Sequence, residues 1–191
     1  MFILYAIVTG LVLGFLLGGR PAGLASITVR WSALIVGGML AQVVLFSAPV
    51  TERIGDLGPW VYVLTTGVVL VAVFANWRIP GLLIVAVGAA CNFAAIVANG
   101  GYMPAGAAAM AALGRAEDTA YSNSALLAHP ALEPLTDIFY IPKGIPFSNV
   151  FSVGDVLIGL GIAITIIIAM RRPAPDTRIR PPAGSEAARP S

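Results

Sequence analysis

Residues 153–170 read VGDVLIGLGIAITIIIAM, a stretch in which Asp155 is the only charged residue. At about 1.5 Å per residue, a helix of this length is roughly 27 Å long, close to the roughly 30 Å of a bilayer's hydrocarbon core. A strand pattern would alternate apolar and polar residues, and this stretch does not. It therefore predicts a membrane-spanning helix.

Four other stretches share this length and this lack of charge, namely residues 2–19, 32–50, 60–77 and 79–98. The chain has 11 basic and 9 acidic residues, and Asp155 is the only one of them inside the five stretches. Backbone polar groups in hydrocarbon must pair within helices unless a closed barrel forms. We therefore predict an all-α, polytopic membrane protein with five transmembrane helices.

The composition supports this class and excludes others. Of the 191 residues, 58% are hydrophobic and 10% are charged, whereas soluble domains carry about a quarter charged residues. The few charges are dispersed, so we expect the bilayer and no nucleic acid as a partner. We predict one transmembrane domain over residues 1–170, with an extracytoplasmic cap over about 99–152 and a disordered cytoplasmic tail over 171–191.

The basic residues predict an orientation. One side of the predicted bundle carries eight of them: Arg20, Arg30, Arg78, Arg171, Arg172, Arg178, Arg180 and Arg189. The other side carries three, which are Arg53, Arg115 and Lys143. The positive-inside rule places the N-terminus outside and the tail in the cytoplasm. Because the first stretch lacks a positive leader and a cleavage site, we interpret it as a retained helix and not a signal peptide.

The predicted cap has two unlike halves. Pro104 precedes an Ala-rich run over residues 105–113 that predicts a short helix ending near Gly114. The second half is apolar and punctuated by prolines, so we expect it either to lie on the outer membrane surface or to enter the helix bundle.

Small residues recur every four positions in two predicted spans. Gly10, Gly14 and Gly18 share a face of the first span, and Gly37 is the centre of a similar run in the second. Such faces let helix backbones approach closely in lipid. We expect tight helix packing, either within this chain or against another membrane protein.

Asp155 has two interpretations. Ser152 precedes it by three residues, which is the spacing of a capping box at the start of a helix, and an acid in the first turn suits the helix dipole. Alternatively, an ionisable residue in a span contacts a ligand, a proton or a partner.

Neutral polar side chains occupy the other spans or their ends, at Gln42, Asn76, Asn92 and Asn99. We expect them to hydrogen-bond between helices; alternatively, Gln42 and Asn92, both near mid-span, line a solute path. His129 and Cys91 are the only residues of their types, so a bis-His haem, a thiolate metal site and a disulfide framework within the chain are excluded. We predict no catalytic residues, no metal and no cofactor.

Two motifs resemble those of a known family. Residues 99–104 read NGGYMP and residues 151–158 read FSVGDVLI. They are similar to signatures of small bacterial integral membrane proteins known as the domain of unknown function number five-three-one-seven, and the resemblance extends to about Met170. Within the cap, residues 143–146 (KGIP) depart from the Gly-Asp-x-Ile-Pro expected there. The resemblance implies a multi-pass protein of the bacterial cytoplasmic membrane and carries no activity.

Candidate binding residues lie in or near these motifs and the cap, and they are Asn99, Gly100, Gly101, Met103, Pro104, His129, Asn149, Gly154 and Asp155. Three functions fit the sequence. The preferred one is a non-catalytic accessory or scaffold subunit that binds other integral membrane proteins, or further copies of itself, through Gly-rich helix faces and the cap. The second is a small transporter or channel. The third is an outer-facing enzyme or lipid-binding protein that uses His129, Asp137 and Asp155.

Overall fold

The computed structural model describes residues 2–114, 124–125 and 127–173. This part of the chain is mostly helical, and its few strands are two residues long. Its α-helices are α1 (Phe2–Leu16), α2 (Ser32–Leu45), α3 (Ala48–Ile54), α4 (Leu57–Phe74), α5 (Leu82–Ala98), α6 (Ala107–Ala112) and α7 (Val153–Met170). Short 3₁₀ helices cover Pro21–Ser26 and Glu133–Leu135. From residue 174 onward, the predicted disordered tail lies outside the described residues.

The long helices pack side by side in the order α1, α7, α5, α4, α2. The last helix in sequence therefore lies between the first helix and α5. At one end of the row, the amide of Arg20 after α1 donates to the carbonyl of Met170 at the end of α7, at 2.7 Å. The helices α1 and α7 thus run parallel, and each of the other neighbouring pairs is antiparallel.

Two helices, α4 and α7, are long and apolar enough to cross a membrane. The helices α2 and α3 pass the same test only as a pair, bent by 78° at a short break. The helices α1 and α5 are apolar but shorter, with 15 and 17 residues. The described residues therefore include two candidate spans, or three if the bent pair counts as one.

Several predicted boundaries are wrong. The stretch 32–50 is not one straight helix, because Phe46 and Ser47 leave the helix and α3 restarts with Pro49 in its first turn. The stretch 79–98 becomes helical only at Leu82, after Gly81 adopts a φ of +92°. Pro80 therefore precedes α5 and does not lie in its first turn.

The first and third predicted spans also shift at their ends. The helix α1 ends at Leu16 and not at residue 19, and Gly18 follows it with a φ of +79°. The helix α4 begins at Leu57, before Trp60, and it ends at Phe74, so Trp77 lies in the turn that follows. The fifth stretch alone, residues 153–170, has the predicted bounds.

Glycines allow α7 to approach its neighbours. A Cβ atom on Gly161 would lie 2.6 Å from the carbonyl oxygen of Gly81, and one on Gly154 would lie 2.7 Å from that of Gly88. The two pairs are reciprocal, since a Cβ on Gly81 or Gly88 would collide with the opposite backbone. Close packing of this kind is the main attraction between helices in lipid.

The glycines of α1 do not all pack. Gly10 and Gly14 are buried against α7, near Ala163 and Met170. Gly18 lies beyond the end of α1, and Gly37 of α2 is exposed; no atom lies within 4 Å of a Cβ built at either position. Of the three glycines predicted to share a face of the first span, only Gly10 and Gly14 therefore pack, and the similar face of α2 has no neighbour in the described part of the chain.

The cap is held by short backbone pairings. Strand β1 (Met103–Pro104) pairs in parallel with β2 (Ser124–Ala125), and β3 (Phe139–Tyr140) pairs antiparallel with β4 (Val150–Phe151). The predicted cap helix over residues 105–113 is observed as the shorter α6. Because β4 leads through Ser152 directly into α7, the cap is fixed at the start of that helix.

Candidate functional site

A polar cluster of Asn92, Ser152 and Asp155 lies where α5 meets the start of α7. The amide of Asp155 donates to Ser152 Oγ at 3.0 Å, and the amide of Ser152 donates to Asp155 Oδ2 at 3.2 Å. These two bonds form a capping box, which confirms that interpretation of the sequence. They satisfy amides that the first turn of the helix would otherwise leave without partners.

Asn92 closes this cluster from the neighbouring helix. Its Nδ2 donates to Asp155 Oδ1 at 2.9 Å, and its Oδ1 accepts from Ser152 Oγ at 2.7 Å. Ser152 is completely buried, with 0% of its surface exposed. Gly154 makes the contact possible, because a Cβ there would overlap Asn92 Oδ1. One amide therefore holds both members of the capping box.

Asp137 brings a second carboxyl group to this region from the cap. Its backbone amide donates to the carbonyl of Pro104 at 2.9 Å, and its carbonyl accepts from the amide of Gly106 at 3.0 Å. The residue is only 7% exposed. Burial, and to a smaller extent the nearby charge of Asp155, raises the pKa of Asp137 from 3.8 to about 7. Asp137 is thus protonated over a wide range below neutral pH.

His129 does not join these carboxyl groups in the described contacts. It is exposed, and within the described residues no hydrogen bond or ion pair links it to Asp137 or Asp155. The structure therefore brings together two of the three residues of the enzyme hypothesis. Acid–base cooperation needs hydrogen-bond reach or one bridging water, and no described contact supplies it for His129.

The NGGYMP motif forms a turn that joins α5 to the cap. Asn99 Nδ2 donates to the carbonyl of Ala131 and Asn99 Oδ1 accepts from its amide, both at 2.8 Å. Gly100 and Gly101 have φ values of +70° and +89°, and Gly101 lies against Pro59 at the start of α4. The glycines are needed here because a side chain disfavours this backbone conformation.

The last residues of the motif belong to the core. Met103 is buried in an apolar cluster with Leu45, Tyr62, Ala95 and Ile96, contributed by α2, α4 and α5. Pro104 is also fully buried. Asn149, the remaining candidate, is half-buried, and its backbone carbonyl accepts from the amide of Ile141 at 2.8 Å. Met103 and Pro104 therefore contribute to packing, and Asn149 contributes a backbone hydrogen bond to the cap.

The other polar side chains of the helices have separate partners. Gln42 Nε2 donates to Thr66 Oγ1 at 3.1 Å between α2 and α4, while Asn92 belongs to the polar cluster. Asn76 Nδ2 and Oδ1 bind the backbone carbonyl and amide of Arg30, at 2.9 and 2.7 Å. The structure does not bring Gln42 and Asn92 to one path.

Sequence reasoning missed two parts of this site. It did not pair Asn92 with Asp155, and it did not identify the close contacts of Gly81 with Gly161 and of Gly88 with Gly154. The seven-residue spacing of Gly81 with Gly88, and of Gly154 with Gly161, was the available signal. No group of three or more His, Cys, Asp or Glu side chains is placed to share a metal ion among the described residues.

The fold and site define a mostly helical protein whose two long apolar helices suggest association with a membrane. The chain belongs to the family of unknown function DUF5317, whose model matches residues 26–167, well over half of the chain. This match confirms the resemblance of the sequence motifs. It begins after α1, so that helix lies outside the matched residues. No curated protein and no solved structure matches the chain.

Proposed function

We propose that this chain is a non-catalytic integral membrane protein of the bacterial cytoplasmic membrane, an accessory or scaffold subunit that binds other membrane proteins. In this proposal α1, the α2–α3 pair, α4, α5 and α7 cross the bilayer, with the N-terminus and the cap outside. The proposed docking face is the outward side of α2, together with the adjoining surface of α4. The cap is the second proposed contact.

The observation that carries the proposal is the uncovered edge helix. The helix α2 ends the row, packs mainly on α4, and buries only Leu45. Its outward side is apolar along its length, and Val43 is 70% exposed. The other exposed large apolar residues of α2 are Leu34, Val36, Met39, Leu40 and Val44. A contiguous apolar face of this kind is typical of an interaction site or a membrane contact.

Small residues on this face favour a helix as the occupant. Ala33, Gly37 and Ala41 are exposed at four-residue spacing, and space around Gly37 is open. The comparable face of α1 is not available, because α7 already covers Gly10 and Gly14. In lipid, helices associate through such small-residue faces and not through hydrophobicity alone.

A shallow groove extends this face. It has a volume of about 590 Å³ and lies between α2, α4 and α5. Its lining is apolar and includes Trp31, Leu34, Leu64, Val68 and Phe93. A groove beside an uncovered helix suits a partner helix with large apolar side chains, which would insert there while its backbone approaches Gly37.

The proposed orientation is supported by the charges at the two ends of the row. One end carries Arg20, Arg30, Arg78, Arg171 and Arg172 in the described residues. The opposite end carries the acidic residues Glu52, Asp56, Glu133 and Asp137, with Arg53 and Lys143. The positive-inside rule then puts the first end in the cytoplasm. The short helices α1 and α5 can cross the bilayer if it thins locally around them.

Photo-crosslinking in native membranes tests the proposal. A photoreactive amino acid at Val43 is expected to give a crosslinked species larger than the monomer. Gly37→Leu should reduce that product several-fold, because the added side chain prevents close helix approach. Thr9→Leu, which enlarges an exposed residue of α1 at the opposite edge of the row, is the matched control and should leave the product unchanged.

The outcomes separate the alternatives. A crosslink to a second copy identifies a homo-oligomer, and a crosslink to another integral membrane protein identifies an accessory subunit. If Val43 labels only lipid and the protein purifies as a lone monomer in mild detergent, the scaffold proposal is wrong.

A further inference from the structure

The hairpin of β3, β4 and their connecting loop, residues 138–151, exposes apolar side chains outside the helices. Ile145 is 46% exposed and Phe147 is 60% exposed, and Ile138, Phe139 and Tyr140 are also exposed. A transmembrane helix loses nothing by such exposure, since lipid covers it. In a segment outside the helices, the same exposure to water costs about 25 cal/mol per Å² of apolar surface.

The hairpin lies beside the first turns of two apolar helices. Its strand β4 enters α7 through Ser152. Its tip reaches α1, where the hydroxyl of Tyr5 donates to the carbonyl of Pro146. The aromatic ring of Phe151 stacks on Phe2 of α1, with 4.6 Å between ring centroids. The hairpin is therefore held at the level where α1 and α7 begin.

The backbone of the hairpin suits a partly dry environment. The two strands pair with each other, the amide of Ile141 donates to the carbonyl of Asn149 at 2.8 Å, and that of Ile145 donates to the carbonyl of Pro142 at 3.3 Å. Pro142 and Pro146 carry no amide hydrogen that would need a partner. These pairings and the two prolines reduce the number of backbone donors that need water, so the hairpin can lie at the hydrated boundary of the hydrocarbon and not within it.

Aromatic residues favour this same level of the bilayer. Phe139 stacks on Phe151 at 5.5 Å, which continues the stack from Phe2 and gives the hairpin an aromatic side next to α1. Tyr5, with its hydroxyl bonded to the hairpin, has the amphipathic ring that is enriched at the boundary between headgroups and acyl chains. The apolar surface of α1 is thus continuous with that of the hairpin.

We infer that this hairpin is an interfacial anchor whose partner is phospholipid of the outer leaflet, with Ile145 and Phe147 at the boundary between headgroups and acyl chains. The inference rests on the proposed placement of α1 and α7 across the membrane. It assigns the hairpin to lipid and not to the interior of the helix row, and it leaves the rest of the cap as the second proposed contact with a protein partner.

Spin-label accessibility tests the anchor in liposomes of phosphatidylcholine and phosphatidylglycerol. Single cysteines replace Ile145, the exposed Leu160 of α7 and the exposed His129, each in a Cys91→Ser background. The ratio of collision with oxygen to collision with a water-soluble nickel chelate reports depth. We expect the ratio at residue 145 to be several-fold higher than at residue 129 and lower than at residue 160.

Two results would overturn the anchor while leaving the membrane placement intact. In the first, the collision ratio at residue 145 equals that at residue 129, which places the hairpin in water. In the second, residue 145 is shielded from both reagents, which places it against protein. A high nickel collision rate at residue 160 would instead overturn the transmembrane proposal itself. If Ile145→Cys does not give monodisperse protein, Phe147→Cys provides the same measurement at the neighbouring exposed position.

Discussion

The fold raises the pKa of the Asp137 carboxyl group well above its usual value. Burial raises its pKa from 3.8 to about 7, with Asp155 adding to the effect. The folded protein therefore holds a proton that the unfolded chain loses at a lower pH. Between these two values the folded state binds more protons, so stability falls as pH rises from about 4 to 7 and then levels off.

Asp137→Asn is expected to remove this fall, because the amide cannot ionise. The full shift corresponds to roughly 4 kcal/mol as an upper bound. Thermal unfolding in nanodiscs at pH 5 and pH 8 measures it: the variant should gain stability relative to the native protein at both pH values, and more at pH 8 than at pH 5. Glu133→Gln, at an exposed acid of the same cap, is the control. Identical pH profiles for Asp137→Asn and the native protein would contradict the raised pKa.

The contacts of each helix glycine determine how much its substitution changes the stability of the protein. Gly161 faces the backbone of Gly81 between α7 and α5, whereas Gly37 faces open space on α2. A methyl group at the first position must push two helices apart, and overpacking of this kind costs about 1–3 kcal/mol. At Gly37 the methyl group of alanine meets no neighbouring atom, and alanine has a higher helix propensity than glycine.

Gly161→Ala is therefore expected to destabilise the protein by about 1–3 kcal/mol, and Gly37→Ala to leave stability unchanged or slightly higher. Chemical denaturation in detergent micelles compares the two variants with the native protein. Equal stability of the two variants would show that the α5–α7 contact is looser than the structure describes.

The same helices show which features of the fold can be predicted from the sequence and which cannot. The apolar stretch 153–170 predicted α7 to the residue, because Ser152 and Asp155 mark its start by a local rule. The break between α2 and α3 was missed, because the hydropathy of a stretch does not report a change in backbone direction. The glycines of α5 and α7 were missed because their seven-residue spacing has meaning only after the two helices are known to be neighbours. The Asn92–Asp155 bond depends on the same knowledge.

The whole molecule tests the proposed orientation. Lys143 in the cap and Arg172 after α7 are exposed at opposite ends of the row. With Cys91 replaced by serine, a cysteine at residue 143 should react in intact cells with a membrane-impermeant maleimide. A cysteine at residue 172 should react only after the cells are opened. Equal reactivity at both sites in intact cells would contradict the proposed topology.

The position of α7 in the row also bears on biosynthesis. Among the described helices, a ribosome makes α1 first and α7 last, yet α7 is the helix that packs against both α1 and α5. Until α7 is made, Gly10, Gly14, Gly81 and Gly88 lack the close contacts that the structure describes for them. The helix α1 therefore has no long packing partner among the described helices until α7 is made, and the row is completed by the last of these helices to be synthesised.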